Sequence, residues 1–400
     1  MHQSSPPPDL WRAVVDVCRR TPLSLILLFV AFTAIGLFSL TYLALFIVAP
    51  VPRSPLPSEK QYTTVLEDGS ISKPQRLPCW LATYNARQEV ARRKGDTPSP
   101  TQLLDDPEVF VSVVVPAYNE EERLEIMLEE AVAYLQQEYT DPPTQPANGT
   151  RSSTKSSKRL SSNGSATPHS PSTLLPTHGW EILIVSDGST DATVSTALSF
   201  ARSHRLPPGA LRVISLGTNR GKGGAVTHGL RHVRGRYAVF ADADGASTFG
   251  DLGKLVTACR GVEDEHGRGV AVGSRAHLVG SDAVVKRSLL RNTLMHAFHL
   301  LIHVLTPPRT SRIADTQCGF KLFSRAALPA IVPHMHAEGW IFDVEMLMHA
   351  EAADVPVAEV AVRWKEVGGS KLNVVWDSLG MAWGLAVVRC AWALGVWRRG

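Results

Sequence analysis

Asp242 and Asp244 stand one residue apart at the end of the apolar run YAVFA, and this pair is the strongest chemical signal in the sequence. Two carboxylates at the tip of a strand face a cleft where a divalent ion can bridge protein and diphosphate oxygens. Oxygen ligands of that kind suit magnesium or manganese. Such an ion offsets the charge that builds on a departing nucleotide diphosphate. An Asp-x-Asp triplet alone is also a common solvated turn, so its neighbours carry the decision. Upstream, Pro116, Ala117, Tyr118, Asn119 and Glu120 follow a β-branched strand. They offer an aromatic ring and a carboxylate to a base, or else form a plain loop whose acidic residues favour a helix N-terminus. Asp187 in SDGSTD ends the next strand, where it either accepts the ring N–H of a uracil or belongs to a turn with a helix cap. The run NRGKGGA, Asn219 to Ala225, precedes a helix. Its small residues and N–H groups can approach a phosphate with Lys222 supplying charge, although the spacing is not that of a P-loop and a glycine-rich turn is the plain alternative.

The elements that must hold these residues alternate. A strand at Val111–Val115 leads to a helix from about Glu121; WEILIVS leads to a helix near Ala192–His204; LRVISL leads through the glycine-rich turn to another helix; then comes YAVFA. Alternating strands and helices mean a largely parallel α/β sheet, in which ligands sit at the carboxyl ends of the strands. All four polar motifs fall at those ends. The 400 residues, 44% hydrophobic and 20% charged, are enough for one large domain with appendages. A net charge of +4 suits an anionic lipid surface or phosphate ligands and falls short of a nucleic-acid-binding stripe, so no nucleic-acid partner is expected. The five cysteines, at 18, 79, 259, 318 and 390, are scattered and odd in number, which indicates neither a zinc site nor a disulfide framework and points to a reducing compartment.

The expected organisation is an N-terminal tail (1–20), a transmembrane anchor (21–51), a connector (52–107) with a short helix near Ala82–Arg93, a catalytic domain (108–372), and a C-terminal apolar, membrane-associated helix (373–400). No charge occurs from Thr21 to Val51, a run too long for a signal-peptide core and long enough to span a bilayer. Arg12, Arg19 and Arg20 before it, against Arg53 and Lys60 after it, lean towards a cytoplasmic N-terminus; the cysteine pattern leans the other way. Residues 140–178 are rich in Ser, Thr, Pro, Asn and Lys and read as a disordered insertion, with sequons at Asn148 and Asn163 that could be used only in a lumenal loop. Residues 288–306 and 374–397 read as helices that touch lipid, with packing on the core as the alternative for the first. His296, His299 and His303 recur there at helical spacing and are read as interfacial or core residues rather than metal ligands.

Taken in order, VPAYNE, SDGSTD, NRGKGGA and DADGA resemble the nucleotide-sugar half of the family-two GT-A glycosyltransferases. VGSRAHL, DTQCGFKLFSRAA, GWIFDVEML and VRWKEVGGSK resemble the polyprenyl-phosphate branch, and within it the eukaryotic dolichyl-phosphate β-glucosyltransferases. The resemblance implies the GT-A nucleotide-diphospho-sugar transferase fold, a Rossmann-like, mostly parallel sheet with helices on both faces. It also implies UDP-glucose as donor, dolichyl phosphate as acceptor, and a single-pass enzyme of the endoplasmic reticulum membrane with its catalytic domain facing the cytosol. Carried onto this chain, Pro116, Tyr118, Glu120, Asp187 and Lys222 contact the nucleotide sugar, as does Ala243 between the metal-binding Asp242 and Asp244. Where mannose synthases carry a Gln two residues beyond the second Asp, this chain has Ala246. Cations for the acceptor phosphate are expected among Arg275, Lys321, Lys286, Arg287 and Lys371. Asp343 is expected to orient a sugar hydroxyl or to cap a helix, and Trp340 to stack on the sugar or pack. The alternatives are a dolichyl-phosphate mannose synthase or another polyprenyl-phosphate glycosyltransferase and, in another class, a non-catalytic nucleotide-sugar-binding membrane scaffold.

Overall fold

Two short strands, β1 (Gln61–Tyr62) and β2 (Gln75–Arg76), pair antiparallel ahead of the main sheet. The main sheet holds β3 (Val109–Ala117), β4 (Trp180–Ser186), β5 (Leu211–Ser215), β6 (Gly235–Ala241), β7 (Val270–Ser274), β8 (Phe320–Ser324) and β9 (Val357–Ala361) in the spatial order β5-β4-β3-β6-β8-β7-β9. Only β8 runs against its neighbours. The computed structural model describes residues 22–140, 178–278, 289–367 and 374–397. The expected insertion, both sequons, Lys286, Arg287 and Lys371 lie outside them, apart from the insertion's two end residues.

The sequence of β3, VFVSVVVPA, is buried almost throughout because both faces of the sheet are covered, so the strand is a continuous apolar run rather than an alternating one. Helix α3 (Leu124–Tyr139) shows the complementary pattern and buries Leu124, Leu128, Ala131 and Leu135 at helical spacing. The chain builds β3, β4 and β5 outward on one side, then returns to lay β6 against the other edge of β3. That reversal is a topological switch point at the carboxyl ends of β3 and β6, the position where such sheets bind ligands.

Two compact units are distinguished, Val51–Leu385 and, separately, Met1–Pro50 with Ala386–Gly400. The first unit corrects the expected connector. Residues 52–107 are built into it: the buried Glu59 carboxylate accepts hydrogen bonds from Arg53, Leu56 N–H and Gly217 N–H, and Trp80 Nε1 donates to Leu230 O at 2.6 Å. The Arg53 and N–H bonds hold the Glu59 carboxyl down at about 2 despite burial. Helix α2 covers Trp80–Lys94, close to the expected span.

In the second unit, α1 (Leu23–Val48), with a mean hydropathy of 2.5, is the one helix among the described residues that is long and apolar enough to cross a membrane. In the first unit, α7 (Leu289–Leu305) buries Phe298 and Ile302 and exposes Leu300 and Val304, so it both packs and presents an apolar face. His299 and His303 are exposed. The last helix, α10 (Val374–Ala393), exposes Trp376, Leu379 and Trp383.

Candidate active site

Asp242 follows the last residue of β6, and its N–H donates to Gly319 O at 3.2 Å, which ties the strand end to the segment entering β8. Its carboxylate meets the Lys222 ammonium at 2.6 Å. Lys222 is the first residue of α5 (Lys222–Leu230) and lies 5.9 Å from the centre of the exposed Trp340 ring. Its pKa is raised against a desolvation penalty by Asp242, Asp343 and Asp244. Asp244 Oδ1 accepts the Ala246 N–H at 3.0 Å, and its carboxyl is raised by burial and then by the charge of Asp242. Two neighbouring, half-buried carboxylates, of which Asp244 is raised by burial and by the charge of Asp242, fit a divalent cation that would relieve this repulsion.

The residues expected to contact the nucleotide have partners the motifs did not reveal. Asp187 is buried, and its two oxygens accept the N–H groups of Arg220 (2.7 Å) and Gly221 (2.8 Å); burial pushes its pKa up to about 6. Pro116 lies within β3 opposite Val185, Tyr118 is exposed at the strand's end, and Ala243 is buried in the core. Glu120 is clamped by Arg123 through two hydrogen bonds of 2.7–2.8 Å, and the Arg123 charge also reaches Asp244.

The glycine-rich turn corrects its own reading. A Cβ on Gly221 would sit 2.6 Å from Glu338 O, and one on Gly223 would sit 2.5 Å from Phe342 Cβ. The Gly224 N–H donates to Glu338 O at 3.0 Å. These glycines make room for residues 337–342, so much of the small-residue requirement comes from protein packing. What remains for a phosphate is chiefly the Lys222 charge.

Of the expected acceptor cations, Lys321 is corrected. Lys321 is fully buried; its ammonium donates to Cys318 O at 2.6 Å and pairs closely with Asp343. A strand residue facing the core cannot reach out to a lipid phosphate, and Asp343, at the start of α9 (Phe342–Ala352), is its counter-ion rather than a group open to a sugar. Arg275 is partly exposed but held by Asp315 through Nε (2.7 Å) and Nη2 (2.9 Å), while its guanidinium lies 5.7 Å from the Trp364 ring.

Sequence reasoning missed Arg123, Asp315 and Glu338 as partners, and it missed Gly319. A Cβ at Gly319 would fall well inside contact distance of both Asp242 carboxylate oxygens and their carbon. Gly319→Ala is therefore expected to swing the Asp242 carboxylate away and lower transfer by about ten- to a hundredfold, with the melting temperature little changed. Steady-state rates beside thermal unfolding check this; a wild-type rate would mean the Asp242 position is not needed.

The order of the sheet, the carboxylates at the end of β6 and the paired lysine define a glycosyltransferase of the GT-A fold. Residues 173–331 match the sequence model of the family described as glycosyl transferase family 2. The dolichyl-phosphate beta-glucosyltransferase of Saccharomyces cerevisiae is 38% identical over 364 residues, covering 89% of this chain and 91% of that protein. The protein of the same name from Drosophila melanogaster is 42% identical over 297 residues, covering 74% and 79%. A crystal structure of Mycobacterium tuberculosis glucosyl-3-phosphoglycerate synthase aligns with a TM-score of 0.44 at 17% identity over 71% of this chain and 81% of that one. The chain belongs to the dolichyl-phosphate β-glucosyltransferase family. These relatives do not favour the mannose synthase alternative.

Proposed function

We propose that this enzyme transfers glucose from UDP-glucose to dolichyl phosphate with inversion, giving dolichyl β-D-glucosyl phosphate for lipid-linked oligosaccharide assembly in protein N-glycosylation. It works at the endoplasmic reticulum membrane, held by α1, with the catalytic domain on the cytosolic side. The observation that carries the reading is the meeting of Asp242, Asp244 and Lys222 at the switch point in a chain of this family.

In this reading Asp242 and Asp244 hold a magnesium or manganese ion, which when bound supplies positive charge to the diphosphate. Lys222 adds a second charge there. Asp187 recognises the uracil, Tyr118 flanks the base, and Trp340 offers its exposed ring to the sugar. Arg275, partly exposed although held by Asp315, is the acceptor-phosphate candidate that remains among the described residues. A phosphate monoester has a second pKa near about 6, so the acceptor is largely a dianion at neutral pH and needs no protein base. Its oxygen attacks the anomeric carbon opposite UDP; that C–O bond forms as the bond to the diphosphate oxygen breaks, and UDP leaves with the electron pair. Rate enhancement then rests on positioning and fixed charge.

Membranes containing the chain, given labelled UDP-glucose and dolichyl phosphate, are expected to yield a labelled lipid, and GDP-mannose to yield none. A mannolipid without a glucolipid overturns the donor assignment. Glycans on Asn148 or Asn163, detected as a glycosidase-sensitive mass shift, would overturn the cytosolic orientation.

Asp187 adds a pH test. Its folded-state pKa is raised by burial to about 6, so the stability linked to this group is greatest below the unfolded carboxylate value and is lost as pH rises through about 6. Uracil recognition needs the ionised form and runs the opposite way. UDP affinity is expected to fall about tenfold from pH 7 to pH 5, the scale of one charge-assisted hydrogen bond, with the Asp187→Asn variant weak and flat. Calorimetric titration of both proteins measures it, and equal slopes would remove Asp187 from base recognition.

A further inference from the structure

Behind the glycine-rich turn, the loop that reaches α9 carries a second group of ligand-type side chains with no part in the transfer reading. His336 Nδ1 lies 3.1 Å from Glu345 Oε1, and His349 Nε2 lies 3.6 Å from the same oxygen. The three ligand atoms all fall within 4.8 Å of one another. Glu345 and His349 are one turn apart on α9 and buried, whereas His336 comes from the loop and is partly exposed. A third imidazole, His334, stands 5.7 Å from His349, ring centre to ring centre.

We infer that His336, Glu345 and His349 form a structural divalent-metal site, of a chemistry that selects zinc. Zinc bonds of about 2.0–2.2 Å at tetrahedral angles place ligand atoms about 3.3–3.6 Å apart, and the two separations to Glu345 lie close to that edge length. Two imidazole nitrogens and one carboxylate oxygen are a zinc ligand set, distinct from the carboxylate pair at Asp242 and Asp244 that suits magnesium or manganese. Glu345 also accepts N–H bonds from His336 and Ala337, which orient its carboxylate as outer partners of a metal ligand do. Two imidazole nitrogens meet this one carboxylate oxygen, one more than a single ion pair requires. The partly exposed edge of His336 leaves an entry path.

The site joins a loop to a helix. Residues 336–338 lead directly to Glu338, whose carbonyl holds Gly224 N–H and whose carboxylate holds Arg220. A metal at this point therefore fixes the surface against which the glycine-rich turn packs. Its role is to hold the fold, not to touch the sugar.

The test uses the full-length protein purified in detergent without added metal. Metal analysis is expected to find about one equivalent of zinc. Exchange with cobalt(II) is expected to give the intense visible bands of a tetrahedral site, absent in the His349→Ala variant. A zinc chelator is expected to lower the melting temperature of the wild type by several degrees and that of His349→Ala by none. Less than a tenth of an equivalent of zinc, with no cobalt bands and no chelator effect, overturns the site and leaves a buried histidine–glutamate network. Because magnesium- or manganese-dependent glucosyl transfer is measured separately, loss of either conclusion does not decide the other.

Discussion

Replacing Asp244 with Ala is expected to lower glucosyl transfer by roughly a thousandfold or more, the scale seen when a group that stabilises developing charge is removed. The fold is expected to persist. Burial and Asp242 together raise the Asp244 carboxyl above its ordinary value, so in the metal-free protein its ionised form opposes folding. That linkage gives stability only at low pH, below the unfolded carboxylate value, and loses it as pH rises through the folded value. The Asp244→Ala protein without metal is thus expected to melt at the same temperature as the wild type or higher at pH 7. Manganese should tighten UDP binding to the wild type and leave the variant nearly unaffected. Calorimetric titration with and without manganese, beside transfer assays, measures all three quantities. Transfer within tenfold of wild type would remove Asp244 from the machinery.

The second large effect is on stability. Lys321 and Asp343 form an ion pair with essentially no solvent contact, in which the lysine comes from β8 and the aspartate from α9. Lys321→Met leaves a buried carboxylate with its main partner gone, a loss of about 3–5 kcal/mol in comparable pairs. The remaining cation near Asp343 is Lys222, so the variant should also draw Lys222 from Asp242 and weaken donor binding. Adding Asp343→Leu to Lys321→Met removes the orphaned charge and is expected to recover most of the stability. A double-mutant cycle from denaturant unfolding reads the coupling. If the double variant is no more stable than Lys321→Met alone, the pair is not the source of the loss.

These two expectations also divide what was legible from what was not. The carboxylates at the end of β6, the alternation of strands and helices, the four motifs and the apolar span could all be read from neighbouring residues. Strand, turn and helix signals act over a few positions, and a β–α alternation leaves few topologies open. The family resemblance followed from the same contiguous motifs. Even the helix Trp80–Lys94 was visible within a segment otherwise read as a connector.

Partnerships were not legible. Whether a cation is free for a phosphate depends on which anion the fold brings to it, and those anions lie far away in sequence: Asp315 is 40 residues from Arg275, and Glu338 is 118 from Arg220. Lys321 sits in a motif that suggested a surface role, yet the pairing of β8 with β6 turns it into the core towards Asp343. The glycines of the turn suggested an approaching phosphate, yet residues 337–342 fill that space. Gly319 carried no chemical signal, because its importance lies in an atom it lacks beside Asp242. The sequence by itself determined the local elements, their order and the reactive residue types at strand ends, since those depend on short-range sterics and hydrophobic periodicity. Only the tertiary structure decided which charges are used up within the protein and which remain for a ligand, because Coulomb pairing and close packing depend on distance in space.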